Sequence, residues 1–80
     1  MVKTHNIIAT GITGVIKRFN PNRGFGFITA DHDGTDAFIH IRDIDTNPVD
    51  YPDEGDRLLY DLQKVEKGVQ AVNACYLERA

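Results

Sequence analysis

Four ring-bearing residues occupy alternating positions in two nearby segments, Phe25 and Phe27 in Arg23-Gly24-Phe25-Gly26-Phe27-Ile28, and Phe38 and His40 in Ala37-Phe38-Ile39-His40-Ile41. In an extended chain, side chains two apart share a face. Phe25 and Phe27 then point one way, and Gly26 and Ile28 the other. Phe38 and His40 share a face opposite to Ala37, Ile39 and Ile41. A small sheet hides one face in its core. The small and branched aliphatic set suits that interior, so the three phenylalanines and the histidine are expected outside. Lys17, Arg18 and Arg23 are close by in sequence. Open rings stack on unpaired bases and cations neutralise phosphates, so the pattern suits single-stranded RNA or DNA.

Other chemistries find little support. His40 has no serine, cysteine or paired carboxylate placed by sequence to make it a catalyst. Gly24-Phe25-Gly26 lacks the Lys-Ser/Thr and the following helix of a phosphate-cradling loop. His5, His32 and His40 have no metal-ligand spacing, and the acids around 31–36 and 50–56 lack a calcium-loop pattern, reading as solvated loops. The chain is expected not to be an enzyme and to need no cofactor, metal or small-molecule substrate. Cys75 is the single cysteine, which excludes an intrachain disulfide and reads as a buried structural thiol. The apolar run Ile7-Ile8-Ala9 is too short for a signal-peptide core or a membrane span, so a cytoplasmic protein with no membrane partner is expected.

The elements that must carry these residues fit one small domain. Eighty residues bury only about 60–65% of their unfolded surface, so not every aromatic side chain can be hidden. Residues 1–9 read as an N-terminal arm and residues 10–80 as the domain. Strands are expected over 10–19, 24–30, 35–41, 57–65 and 69–77, with Gly11 and Gly14 as bulge or bend sites. Asn20-Pro21-Asn22-Arg23-Gly24 and Asp31-His32-Asp33-Gly34 are turn signals. Pro48 and Pro52 exclude a helix between 42 and 56, although Ile41 to Ile44 allows one helical turn. In strand four, Leu58, Tyr60 and Leu62 share a face. In strand five, Val69, Ala71, Asn73 and Cys75 are expected to alternate against Gln70, Val72, Ala74 and Tyr76. The fold class is therefore all-β, a five-stranded antiparallel Greek-key barrel of OB type.

Charge is unevenly spread. The net value is −3, yet residues 11–30 hold Lys17, Arg18 and Arg23 and no acid. Residues 31–56 hold nine acids against Arg42 alone, a net of −8. A local positive field beside an acidic segment discourages indiscriminate binding to duplex backbone.

These motifs resemble those of the cold-shock protein family over about Gly14 to Leu77. Arg23-Gly-Phe-Gly-Phe-Ile28 is similar to the family's first RNA-binding motif and Phe38-Ile-His40 to its second. Gly14-Val-Ile-Lys-Arg-Phe-Asn20 resembles the opening strand, and Lys67-Gly68-Val69-Gln70-Ala71-Val72-Asn73 the closing one. An RNA-recognition-motif domain is excluded by order, since there the partner motif comes earlier, across a helix. The resemblance implies a cold-shock-type nucleic-acid-binding barrel that keeps RNA unpaired, as an RNA chaperone or regulator of transcription or translation, working as a monomer or weak homodimer. It implies contacts from Lys17, Arg18, Phe19, Arg23, Phe25, Phe27, Phe38 and His40, with Lys67 as a further cation. Asp36 would then meet a base edge, or else be a simple turn acid. Gln70 and Asn73 are expected to satisfy local backbone groups. Arg18 stands where the family usually has Trp, Ile41 where it has Phe, and Arg42 where it has Ser. Tyr51 is a candidate for the family's ring before strand four. Loss of two rings costs roughly 1–3 kcal/mol each in stacking, which a guanidinium offsets in part. The same departures and the −8 segment suit an alternative, a protein-interaction or self-associating barrel of the same ancestry.

Overall fold

A computed structural model describes residues 6–80, and its chain turns where glycine and short polar side chains interrupt runs of β-formers. β1 (Ile7–Asn20) stops at Asn20, whose Oδ1 accepts from the amides of Asn22 at 3.0 Å and Arg23 at 3.2 Å. Gly24, at φ +77°, completes that turn. β2 (Phe25–Ala30) leads through a turn in which Asp33 Oδ1 accepts from the Thr35 amide at 2.9 Å, and β3 (Asp36–His40) returns. A single 3-10 turn, Ile41–Asp43, follows, capped by His40. β4 (Arg57–Val65) and β5 (Gly68–Glu78) form the last hairpin.

The strands close into a barrel in the order β1-β2-β3-β5-β4. Four seams are antiparallel and the fifth, β3 with β5, is parallel, pairing Phe38 with Gln70 and Ile39 with Ala71. This is the five-stranded Greek-key barrel anticipated from the turn spacing, with one parallel seam at its closure. Ile16, Ile28, Ile39, Leu58 and Tyr60 fill the interior at 2% exposure or less, and Ala37, Ala71 and Ala74 leave them room. Each large aliphatic side chain buried this way contributes about 1.5–3 kcal/mol.

The strand expectations fail in three places. β1 begins at Ile7, so Ile7-Ile8-Ala9 belongs to the sheet and pairs with β4, while residues 1–5 of the expected arm lie outside the described residues. Cys75 is half-buried rather than buried. The alternation in β5 changes phase: Ala71, Val72 and Ala74 are buried, and Asn73 is exposed at φ +52°. Asn tolerates this left-handed geometry better than most residues. Its Nδ2 donates to Asp61 Oδ2 at 3.0 Å, where the β4–β5 register slips. Asp61 Oδ1 meanwhile accepts from the amide of Gly11, itself at φ +65° beside the slip between Ala9 and Ile12. One carboxylate on β4 thus steadies an irregularity on each neighbouring strand. Gln70 likewise donates to a distant side chain, Asp43 Oδ2 at 2.8 Å, so neither amide serves the local backbone expected of it.

The loop from 45 to 56 is mostly exposed, as expected of its acids, but Asp56 is buried and pins its end. Asp56 is 1% exposed and accepts from Arg79 Nε at 2.8 Å and from the amides of Asp53 at 2.9 Å and Ala80 at 2.6 Å. Arg79 also donates to Asp50 Oδ2 at 2.7 Å, and its guanidinium centre lies 4.1 Å from the centre of the Tyr76 ring.

Candidate nucleic-acid interface

The register of β2 on β3 sets Phe25 opposite His40 and Phe27 opposite Phe38. Directly opposed residues project from the same side of a sheet. The inner side is taken by Gly26, Ile28, Ala37 and Ile39, all buried, which turns the rings outward. Phe27 is 39% exposed, and Phe25, Phe38 and His40 are partly so. The rings touch one another: Phe25 and Phe38 are 5.3 Å apart between centroids, and Phe27 meets Phe38 edge-on at 6.0 Å.

β1 adds cations through a bulge. Ile16 pairs with Ile28 and Arg18 with Phe27, leaving Lys17 as an extra residue. Lys17 and Arg18 are consequently both exposed, between buried Ile16 and half-buried Phe19. Gly26 makes this approach possible, because a Cβ there would run into the Arg18 carbonyl oxygen and come within 2.7 Å of Phe19 Cα. Phe19 itself leans on the core, with its ring 6.3 Å from that of Tyr51.

Among the described residues, Phe27 lines three shallow depressions along this face. The first, about 280 Å³, lies among Arg18, Phe19, Phe25 and Phe27. The second, about 240 Å³, is formed by Lys17, Arg18, Phe27 and Asp36. The third, about 530 Å³, reaches from Phe27 and Phe38 to Val65, Lys67 and Val69 in the β4–β5 hairpin. A fourth, between Arg42 and Asn73, has no ring in its lining.

Asp36 is the one acid in the three. It accepts from Lys17 Nζ at 2.9 Å and from Thr29 Oγ1 at 2.7 Å. The Thr29 hydroxyl, and then the Lys17 ammonium, hold its carboxyl below the ordinary carboxylate range. Arg18, Arg23 and Lys67 make no ion pair among the described residues and are exposed. His40 Nδ1 accepts from the Arg42 amide at 3.2 Å, so in the neutral ring the proton sits on Nε2, available to a ligand acceptor.

Of the residues singled out from the sequence, Lys17, Arg18, Phe19, Phe25, Phe27, Phe38, Asp36 and Lys67 therefore line the depressions. Arg23 stands in the turn before β2, and His40 lies beside the patch, opposite Phe25. Sequence reasoning missed Val65 and Val69. They reach the face because β3 and β5 run parallel, which no local pattern announces.

The sequence model described as the 'Cold-shock' DNA-binding domain matches residues 12–76. This chain belongs to the cold-shock domain family. It is 37% identical over 70 residues to Cold shock-like protein CspG of Shewanella violacea, covering 88% of this chain and all of that protein. It is 40% identical over 65 residues to Cold shock-like protein CspA of the same organism, covering 81% and 93% of the two chains. To Cold shock protein 2 of Lactiplantibacillus plantarum it is 45% identical over 60 residues, covering 75% and 89%. Within this cold-shock domain the two unusual positions take different paths. Arg18 is outside, on the face. Ile41 is half-buried, packs on the core and supplies no stacking surface.

Proposed function

We propose that this cold-shock domain binds single-stranded RNA or DNA with low sequence specificity, by stacking bases on the outward rings while the backbone follows Arg18, Arg23 and Lys67. Holding a strand this way competes with base pairing, which is the work of an RNA chaperone or a regulator of transcription or translation in the cytoplasm. The reading rests on one observation above others: a single exposed ring, Phe27, is common to three successive depressions that also contain cations. Consecutive bases need such a run of π-faces beside positive charge. The experiment is a fluorescence-anisotropy titration with a labelled thymine heptanucleotide at several salt concentrations. Saturable, salt-weakened binding supports the reading, and no binding at low salt ends it.

The alternative, a barrel that docks proteins or itself, drew on the −8 segment. Four of its nine acids are paired within the chain, Asp31 with Arg57 and Asp36 with Lys17 at the surface, and Asp50 and the buried Asp56 with Arg79. This favours the nucleic-acid reading. Light scattering at several protein concentrations, with and without the oligonucleotide, separates the two.

A further inference from the structure

We propose that Arg18 reads guanine, giving the bound strand a guanine preference at one position. The inference rests on the single-strand reading above and adds a base identity to it.

Arg18 is shared by two adjacent depressions, with Phe27 in both. The bulge at Lys17 holds it on the outer face, and it has no ion-pair partner among the described residues, since Lys17 has taken Asp36. A guanidinium offers two parallel donors in a fixed fork. Guanine presents two adjacent acceptors, O6 and N7, that match it. Adenine and cytosine place an amino donor on that edge, and thymine offers a lone O4 beside a methyl group. In an unpaired strand this edge is open.

Asp36 in the same depression decides between a base and a phosphate. Its oxygens accept one bond each, from Thr29 and Lys17, whereas a carboxylate has about four acceptor sites. Its side chain is 42% exposed. Lys17 offsets its charge, but a phosphate diester has no donor to offer the spare lone pairs. Guanine instead carries donors at N1 and N2, on the side away from N7, which the spare lone pairs of Asp36 can accept. Phe27 provides the stacking face between them. Donors on one side, acceptors on the other and a ring beneath fit guanine better than any other base.

The test uses three labelled heptanucleotides: all thymine, thymine with one central guanine, and thymine with one central 7-deazaguanine. Anisotropy titrations are run on the wild-type chain and on Arg18→Lys, which keeps the charge and removes the fork. The expected result is wild-type binding at least about fivefold tighter to the guanine strand than to all-thymine, the low end for a bidentate pair. That ratio should fall towards one with 7-deazaguanine and in Arg18→Lys. Equal wild-type affinities for guanine and thymine strands would overturn the proposal and assign Arg18 to the backbone, leaving the single-strand reading intact. A guanine preference unchanged in Arg18→Lys would also overturn it. Failure to bind any of the three strands would remove both.

Discussion

Lys17 Nζ and Asp36 Oδ2 are 2.9 Å apart, joining β1 to β3 over the outer surface of the intervening β2. One cation of the face, Lys17, is thus already matched by an acid. For an all-thymine strand, which offers Arg18 no guanine, the charge available to phosphates comes chiefly from Arg18, Arg23 and Lys67. Three neutralised phosphates on a single strand give a log–log salt slope of about −2. Asp36→Asn frees Lys17, and the slope with all-thymine DNA should steepen by about 0.7. An unchanged slope would mean that Lys17 stays away from the backbone.

Phe27 lines all three depressions described above, whereas Phe25 lines one of them. Phe27→Ala should weaken strand binding by at least the roughly 1–3 kcal/mol of one lost stack, and by more than Phe25→Ala does. Phe27 is 39% exposed and outside the core, so urea midpoints of Phe27→Ala and wild type should stay close. Anisotropy and urea titration on the same samples check both statements.

At Gly26 of β2 the backbone of β1 leaves no room for a side chain. Gly26→Ala forces a methyl group against the Arg18 carbonyl and to within 2.7 Å of Phe19 Cα, backbone atoms with no easy retreat. A destabilisation of about 1–3 kcal/mol by chemical denaturation is expected. Strand affinity should drop too, because the bulge that presents Lys17 and Arg18 has to move.

Burial alone would raise the Asp56 carboxyl, but the amides of Ala80 and Asp53 and the Arg79 guanidinium outweigh it and hold the group below the ordinary carboxylate range. A group depressed on folding contributes stability that is present above its unfolded value and disappears as pH falls through the folded one. Asp56→Asn should therefore lower stability at neutral pH by about 1–3 kcal/mol of lost charge-assisted bonding, read as a lower Tm. The gap to wild type should persist down to about pH 5 and close below about pH 4. Thermal melts of both proteins across that range are the measurement.

The Tyr60 hydroxyl is buried and has no hydrogen-bond partner among the described residues. Its burial pushes the phenol up to about 12. An orphaned buried hydroxyl costs about 1–3 kcal/mol, so Tyr60→Phe should raise stability, measured as a higher urea midpoint at constant slope.

The outward turn of Phe25, Phe27 and Phe38 was legible because β2 and β3 obey a strict two-residue period with small or branched residues on the other phase. β4 was legible to its ends for the same reason, with Leu58, Tyr60 and Leu62 inward. β5 was not, because Asn73 accepts a backbone geometry that resets the phase, and its partner Asp61 is twelve residues away. The burial of Asp56 was hidden for a related reason: its guanidinium partner comes from the far end of β5. On the binding face, each residue's side was readable, but the neighbours supplied by the parallel seam, Val65 and Val69, were not. Local alternation decides which way a side chain points, and long-range pairing decides what it meets.

The odd residue in β1 has a consequence for how this surface can change over time. A regular strand offers a ligand every second side chain, and any one-residue deletion turns its buried set inside out. Here the extra position is absorbed at Lys17, so two neighbouring side chains project together while Ile16 and Phe19 keep their inward places. Position 18 can then be exchanged, aromatic for cationic, without renegotiating the interior. Removing Lys17 would make Ile16–Ile28 and Arg18–Phe27 consecutive pairs of a regular ladder, leaving the buried set in place and the face short of one of its two adjoining cations.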